Sequence, residues 1–189
     1  MLINIRGTNG SGKSTLVRGV LKAGFARPLY GVLGLKQPEA YACTIPEVRG
    51  LVYVLGPYQT NTGGMDRFAH YGWDSCIATI EKYAEKGHVI FESVTISSCY
   101  GSIGVLLEKW GKDSVVAFLT TSAEDCITNV NRRRKGVSLP NTANLLGKHG
   151  STLKVRERML KEGKVTVIDI SMDNGLEAIL RLLREDGRT

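Results

Sequence analysis

The chain has 189 residues, 42% of them hydrophobic, and a formal net charge of +7. That length fits one domain able to bury roughly two-thirds of its unfolded surface. A membrane span needs about 20 consecutive apolar residues, which the sequence lacks, and Leu2-Ile3-Asn4-Ile5 is too short for a signal peptide. The expectation is therefore a soluble, cytoplasmic protein.

Leu2-Ile3-Asn4-Ile5 predicts a short buried strand, followed by a glycine loop and a helix from about Ser14 to Lys22. Residues 25–63 are broken by Pro28, Pro38, Pro46 and Pro57, and Leu51–Leu55 is the clearest strand among them. A helix is expected from near Asp66 to Lys86. Trp73, Ile77, Ile80 and Ala84 recur on its core-facing side, and Gly87 is its stop signal. His88–Phe91 predicts a second buried strand that ends on Glu92. A helix over Ser98–Trp110 and a strand over Val115–Leu119 come next. Ser122, with Asp125 three residues on, marks the start of a helix that runs into an arginine cluster. Gly136–Gly150 reads as turn and loop, Thr152–Glu162 as a helix and Val165–Ile168 as a strand. Leu176, Ile179, Leu180 and Leu183 form the apolar face of a last helix. Strands with few charges alternating with amphipathic helices give an α/β, three-layer sandwich: a mostly parallel sheet with helices on both faces.

The four cysteines, Cys43, Cys76, Cys99 and Cys126, lack C-x-x-C spacing and read as free thiols rather than a zinc site. The positive charge is regional. Between Asn131 and Lys164 lie ten lysines and arginines against two glutamates, a balance suited either to a phosphate-rich ligand or to a solvated helix face.

Gly7-Thr8-Asn9-Gly10-Ser11-Gly12-Lys13-Ser14, with Thr15 after it, fits G-x-x-x-x-G-K-[ST] at every fixed position. The glycines let successive backbone N–H groups turn inward on phosphate oxygens, and the following helix adds its positive N-terminal end. Lys13 would reach the β/γ oxygens, and Ser14 would ligate Mg²⁺. The motif follows an apolar strand and precedes a helical pattern, the context it requires. ATP and Mg²⁺ are the cofactors this implies.

A P-loop serves kinases, motors and GTPases alike. The chain has no guanine-reading N-K-x-D and is short for a motor. A kinase needs an acid near Mg²⁺ or the acceptor hydroxyl, an acceptor pocket, and arginines over the transferring phosphate. Glu92, at the C-terminal end of a strand, would lie at the ligand-binding edge of a parallel sheet, either on the metal or as the base; a surface glutamate is the plain alternative. The loop from Gly56 to Arg67 carries Tyr58 as a stacking candidate and Gly63-Gly64 for close approach. Its Asp66 is either a helix cap or a base for an aliphatic hydroxyl. Arg132, Arg133 and Arg134 end a helix before a polar loop, as a lid over residues 131–150 would, although helix ends also favour basic residues.

With these residues in place, the chain resembles the thymidylate-kinase-like branch of P-loop kinases. Glu92-Ser93-Val94-Thr95-Ile96-Ser97-Ser98-Cys99-Tyr100-Gly101 is similar to that branch's D-R-[YH]-x-x-S-S-x-A-Y-Q-G segment, with Ser93 in place of arginine. That departure argues against ordinary thymidylate phosphorylation. The Tyr58 to Asp66 loop resembles the bacteriophage 5-hydroxymethyl-deoxyuridine DNA kinase family, whose members phosphorylate the hydroxymethyl group of a modified thymine within DNA. The resemblance implies one P-loop kinase domain over 1–189, in the host cytoplasm if phage-encoded, with DNA carrying modified bases as partner. It implies catalytic roles for Lys13, Asp66, Glu92, Arg132 and Arg133, and an ATP contact for Arg134. Tyr58, Gly63, Gly64, Arg67 and Ser97 would line the acceptor side. A kinase of free deoxynucleosides or their monophosphates, and a non-catalytic ATP-binding regulator, are the competing expectations.

Overall fold

Strand β1 (Leu2–Arg6) is buried along its whole length, and its apolar side chains divide between two cores, Leu2 to one and Ile3 and Ile5 to the other. This period-2 division continues in its neighbours. Val89 and Phe91 of β5 (His88–Glu92) and Val116 and Phe118 of β6 (Ser114–Leu119) join Leu2, while Ile90, Val115 and Ala117 join Ile3 and Ile5. A strand buried on both faces must be covered on both, and helices do this. Helices α2 (Trp73–Ala84), α3 (Tyr100–Trp110) and α5 (Thr142–Glu162) supply Ile80, Leu107 and Met159 to the first core. The second core is closed by α1 (Lys13–Lys22) through Leu16, Val17 and Val20, and by α6 (Gly175–Glu185) through Ile179, Leu180 and Leu183.

The computed structural model describes residues 1–31, 36–60, 63–93, 100–134 and 141–186. Their seven-stranded sheet has the order β2-β3-β4-β5-β1-β6-β7, with β4 (Val52–Leu55) and β7 (Thr166–Ile170) completing the parallel part. The three-layer α/β expectation holds. No helix among the described residues is long and apolar enough to cross a membrane.

Three local expectations are corrected. Residues 25–63 contain two further strands, β2 (Phe25–Leu29) and β3 (Ala40–Thr44), both paired antiparallel. Strand β2 is largely exposed at the sheet's edge, where Pro28 is tolerated and the period-2 pattern fades. The helix expected from Asp66 to Lys86 is two elements, a 3₁₀ helix over Met65–Tyr71 and α2, parted by Gly72 at φ +90°. Gly87 lies beyond the helix end and meets a different need: a Cβ there would come within 2.4 Å of the Leu51 carbonyl oxygen. Within the span read as loop, α5 already begins at Thr142, where the Asn141 side chain accepts a hydrogen bond from the Asn144 N–H at 3.3 Å. Ser122 caps α4 (Ala123–Arg133) as expected, by accepting from the Asp125 N–H at 3.0 Å. Cys43, Cys76 and Cys126 are buried free thiols, and burial pushes Cys43 up to about 12; Cys99 lies outside the described residues.

Candidate active site

Register gathers three loops at one edge of the sheet. Ile5 pairs with Glu92, Leu55 with Phe91 and Arg6 with Phe118. The P-loop after β1, the loop after β4, and Glu92 therefore stand at the C-terminal ends of neighbouring parallel strands, where an open α/β sheet binds its ligands.

The P-loop is built from backbone that only glycine adopts at low cost. Gly10 has φ +89°, and Gly12, the residue before α1, has φ +99°. A Cβ on Gly10 would lie 2.2 Å from the Cys126 carbonyl oxygen, so helix α4 rests directly on the loop. Three side chains hold it there: Asn129 donates to the Gly10 carbonyl at 3.0 Å, Thr121 donates to that of Ser11 at 2.8 Å, and Thr8 meets His149 of α5 at 3.3 Å. Lys13 is buried and donates to the carbonyls of Gly7 at 2.8 Å and Thr8 at 3.0 Å. Burial pushes its ammonium toward the neutral form, opposed by the carboxylates of Glu92 and Asp66. The Ser11 hydroxyl is buried in the same loop with no hydrogen-bond partner among the described residues.

The two acids come together, each with its own serine. Glu92, 3% exposed, accepts a 2.5 Å hydrogen bond from Ser14. Burial pushes its carboxyl up, while Lys13 and the Ser14 hydroxyl pull it back. Asp66, on the 3₁₀ helix, accepts from the buried Ser93 hydroxyl at 2.5 Å. Glycines permit this approach. A Cβ on Gly64, at φ +92°, would fall 2.7 Å from the Glu92 carbonyl oxygen, and one on Gly56 would fall 2.6 Å from the Gly64 carbonyl carbon. The Ser14 hydroxyl and the Glu92 carboxylate are hard oxygen donors of the kind Mg²⁺ takes through one or two protein ligands.

The remaining expected residues are placed as follows. Tyr58 is buried in the second core, its ring 6.3 Å from that of Tyr41 and close under Gly63, where a Cβ would come within 2.6 Å of the ring. Its hydroxyl has no hydrogen-bond partner among the described residues, and burial, with Glu92 next, drives it well above the usual phenol range. Arg67 is exposed and reaches Gln37 at 3.5 Å. Arg132, Arg133 and Arg134 are exposed at the end of α4, and Lys13 feels the charge of Arg133. Ser97, with the rest of 94–99, lies outside the described residues, as do 135–140 of the lid segment.

No protein-family model matches the chain. Among curated proteins it is 33% identical over 191 residues to the 5-hmdU DNA kinase of Pseudomonas phage PaMx11, covering 96% of each chain. The chain belongs to this phage kinase family. A second member, the 5-hmdU DNA kinase of Pseudomonas phage M6, is 27% identical over 194 residues, covering 98% of each. Among solved structures, deoxyadenosine kinase from M. mycoides with bound dATP aligns over 98% of this chain and 100% of its own, at 15% identity and a TM-score of 0.51. The same enzyme with dCMP and dCDP gives 17% identity and the same score over 97% and 98%. That likeness concerns the fold.

Membership in the kinase family makes the chain a phosphotransferase, and its P-loop edge has two sides. The acids lie toward β5. Toward β6, a cleft of about 240 Å³ opens among Gly7, Thr8, Thr120, Thr121, His149 and Arg156. Sequence reasoning missed Asn129 and Thr121 as the side chains that hold the kinase's P-loop, Ser93 as the partner of Asp66, and Arg18, whose guanidinium lies 6.0 Å over the Tyr58 ring and donates to the Thr60 carbonyl. Spacing gives no sign of such contacts, since each joins residues far apart in the chain.

Proposed function

We propose that this kinase transfers the γ-phosphoryl group of ATP to the hydroxymethyl oxygen of 5-hydroxymethyluracil within DNA. The observation that carries the reading is the pair of acids with separate partners, Glu92 on the P-loop serine and Asp66 on Ser93. Two carboxylates held differently divide the labour that phosphoryl transfer to an alcohol requires.

Glu92, tied to Ser14, belongs with the nucleotide. Together they would hold Mg²⁺, which would supply positive charge to the phosphates being transferred. Lys13 exchanges its loop carbonyls for phosphate oxygens. Asp66 takes the proton of the acceptor hydroxymethyl group as its oxygen bonds to the γ-phosphorus. The bond from that phosphorus to the β–γ bridging oxygen breaks, and ADP leaves. Arg132 and Arg133 offset the charge that develops, and Arg134 meets the nucleotide. The Tyr58 hydroxyl, buried without a partner among the described residues and near both carboxylates, gives the acceptor side a hydrogen-bonding group. Inside a duplex the hydroxymethyl group is out of reach of such an enclosed site, so the modified base leaves the stack.

Rates of γ-phosphate transfer to DNA containing 5-hydroxymethyluracil, to ordinary DNA, and to the free nucleoside and its monophosphate test the reading. It expects the modified DNA to lead by orders of magnitude. Transfer to the free compounds alone would replace it with a nucleoside or nucleotide kinase.

A further inference from the structure

The acid side of the site poses an electrostatic problem for a polyanionic acceptor. Glu92 and Asp66 both present carboxylates there, and Ser93, which follows Glu92, is neutral. Lys13 is committed to the P-loop. Arg67, one residue past Asp66, is exposed but turned to Gln37. A third cation is held at this mouth by α1.

Arg18 lies one helical turn beyond Ser14 and donates from Nη1 to the Ser14 carbonyl at 3.3 Å. Its Nη2 donates to the Thr60 carbonyl in the loop after β4, and its guanidinium carbon stands 6.0 Å from the Tyr58 ring centre. Both Glu92 and the Tyr58 hydroxyl feel its charge. Among the described residues no carboxylate lies within ion-pair distance of Arg18. A guanidinium has five N–H donors, and these two bonds leave the rest of the fork unused. Two carbonyl contacts and an aromatic face fix the group in place without neutralising it, an arrangement suited to an anion.

We infer that Arg18 holds a backbone phosphate next to the target nucleotide, on the acceptor side of the site. The inference rests on the DNA reading above. It makes the helix that begins at the nucleotide's phosphates also carry the contact for the acceptor's phosphate.

The test is DNA affinity against salt concentration, by fluorescence anisotropy on a labelled oligonucleotide containing 5-hydroxymethyluracil, for the unaltered kinase, Arg18→Gln and Arg18→Lys. Glutamine keeps a donor for the Thr60 carbonyl and removes the charge; lysine keeps the charge. The slope of log affinity against log salt should become shallower by about 0.7 to 0.9 in Arg18→Gln, with affinity about tenfold weaker at low salt. Arg18→Lys should recover the slope. A wild-type slope in Arg18→Gln, whether affinity holds or falls, would overturn the inference and leave Arg18 as a staple between α1 and the loop. The DNA reading fails separately, if the unaltered kinase transfers no phosphate to the same oligonucleotide.

Discussion

The Ser14 hydroxyl donates a 2.5 Å hydrogen bond to Glu92 Oε1, joining the start of the P-loop helix to the end of β5 across 78 residues of sequence. Burial raises the folded pKa of Glu92, and the bond with Ser14 and the charge of Lys13 offset this only in part. A raised carboxyl pKa makes its contribution to stability present below the ordinary value near about 4.3, and lost as pH rises through the folded value. The ionised form of Glu92 therefore opposes folding. Burial pushes the neighbouring Lys13 toward its neutral form as well. Glu92→Gln should melt a few degrees higher than wild type at pH 7 to 8, at about 2 to 4 °C for each kcal/mol. The gap should close toward pH 4, and turnover should fall by about a hundredfold or more. Thermal melts across that range and steady-state rates check both halves. A variant less stable than wild type at pH 8 would count against the burial argument.

Asp66 and its serine carry the second prediction. Asp66→Asn removes the proposed base while keeping its shape, so turnover should drop by about 10² to 10⁴ with the ATP dissociation constant unchanged. Ser93→Ala loses the donor that orients Asp66 and should lower kcat less, with little change in KM for ATP. Near-normal turnover in Asp66→Asn would remove that residue from the chemistry.

Two glycines with positive φ separate backbone strain from close approach. A Cβ on Gly163, at φ +62°, would meet nothing within 4 Å among the described residues, so Gly163→Ala should cost about 1 kcal/mol and leave activity intact. Gly64, at φ +92°, faces the Glu92 carbonyl oxygen and carboxyl carbon, which a Cβ would approach to 2.7 and 2.9 Å. Gly64→Ala should cost about 2 to 3 kcal/mol or more and displace Glu92 with it. Melting temperatures and kcat/KM of the two variants measure the difference.

Helix α4 should divide along its length. Asn129 fixes the Gly10 carbonyl, and Asn129→Ala should raise KM for ATP by loosening the cradle. Arg133 is exposed and its charge reaches Lys13, and Arg133→Ala should act mainly on kcat, by about tenfold to a hundredfold. Full kinetics with ATP as the varied substrate resolve the two effects.

How much of this was legible in the sequence follows from how local each constraint is. The P-loop is a contiguous run whose backbone needs glycine at fixed places, and Glu92 closes an apolar strand; both stand in the sequence as they stand in the fold. Asp66 was visible as an acid after Gly63-Gly64, but its bond with Ser93 crosses 27 residues and depends on β4 and β5 lying side by side. Arg18 has no motif around it to single it out, because its reach to Thr60 depends on how the loop after β4 folds back at Gly56 and Gly64. Strands β2 and β3 were hidden by prolines and by an exposed edge. The start of α5 was hidden by asparagines and glycines that read as turn residues, although Asn141 is its cap.

Mass spectrometry of nucleosides, released from 5-hydroxymethyluracil DNA after incubation with the kinase, ATP and Mg²⁺, tests the central claim most directly. The account predicts that the modified nucleoside gains the mass of one phosphoryl group, on its hydroxymethyl oxygen, and that ordinary thymidine gains none. An unchanged modified nucleoside, in a preparation that phosphorylates a free nucleoside or nucleotide, would contradict it.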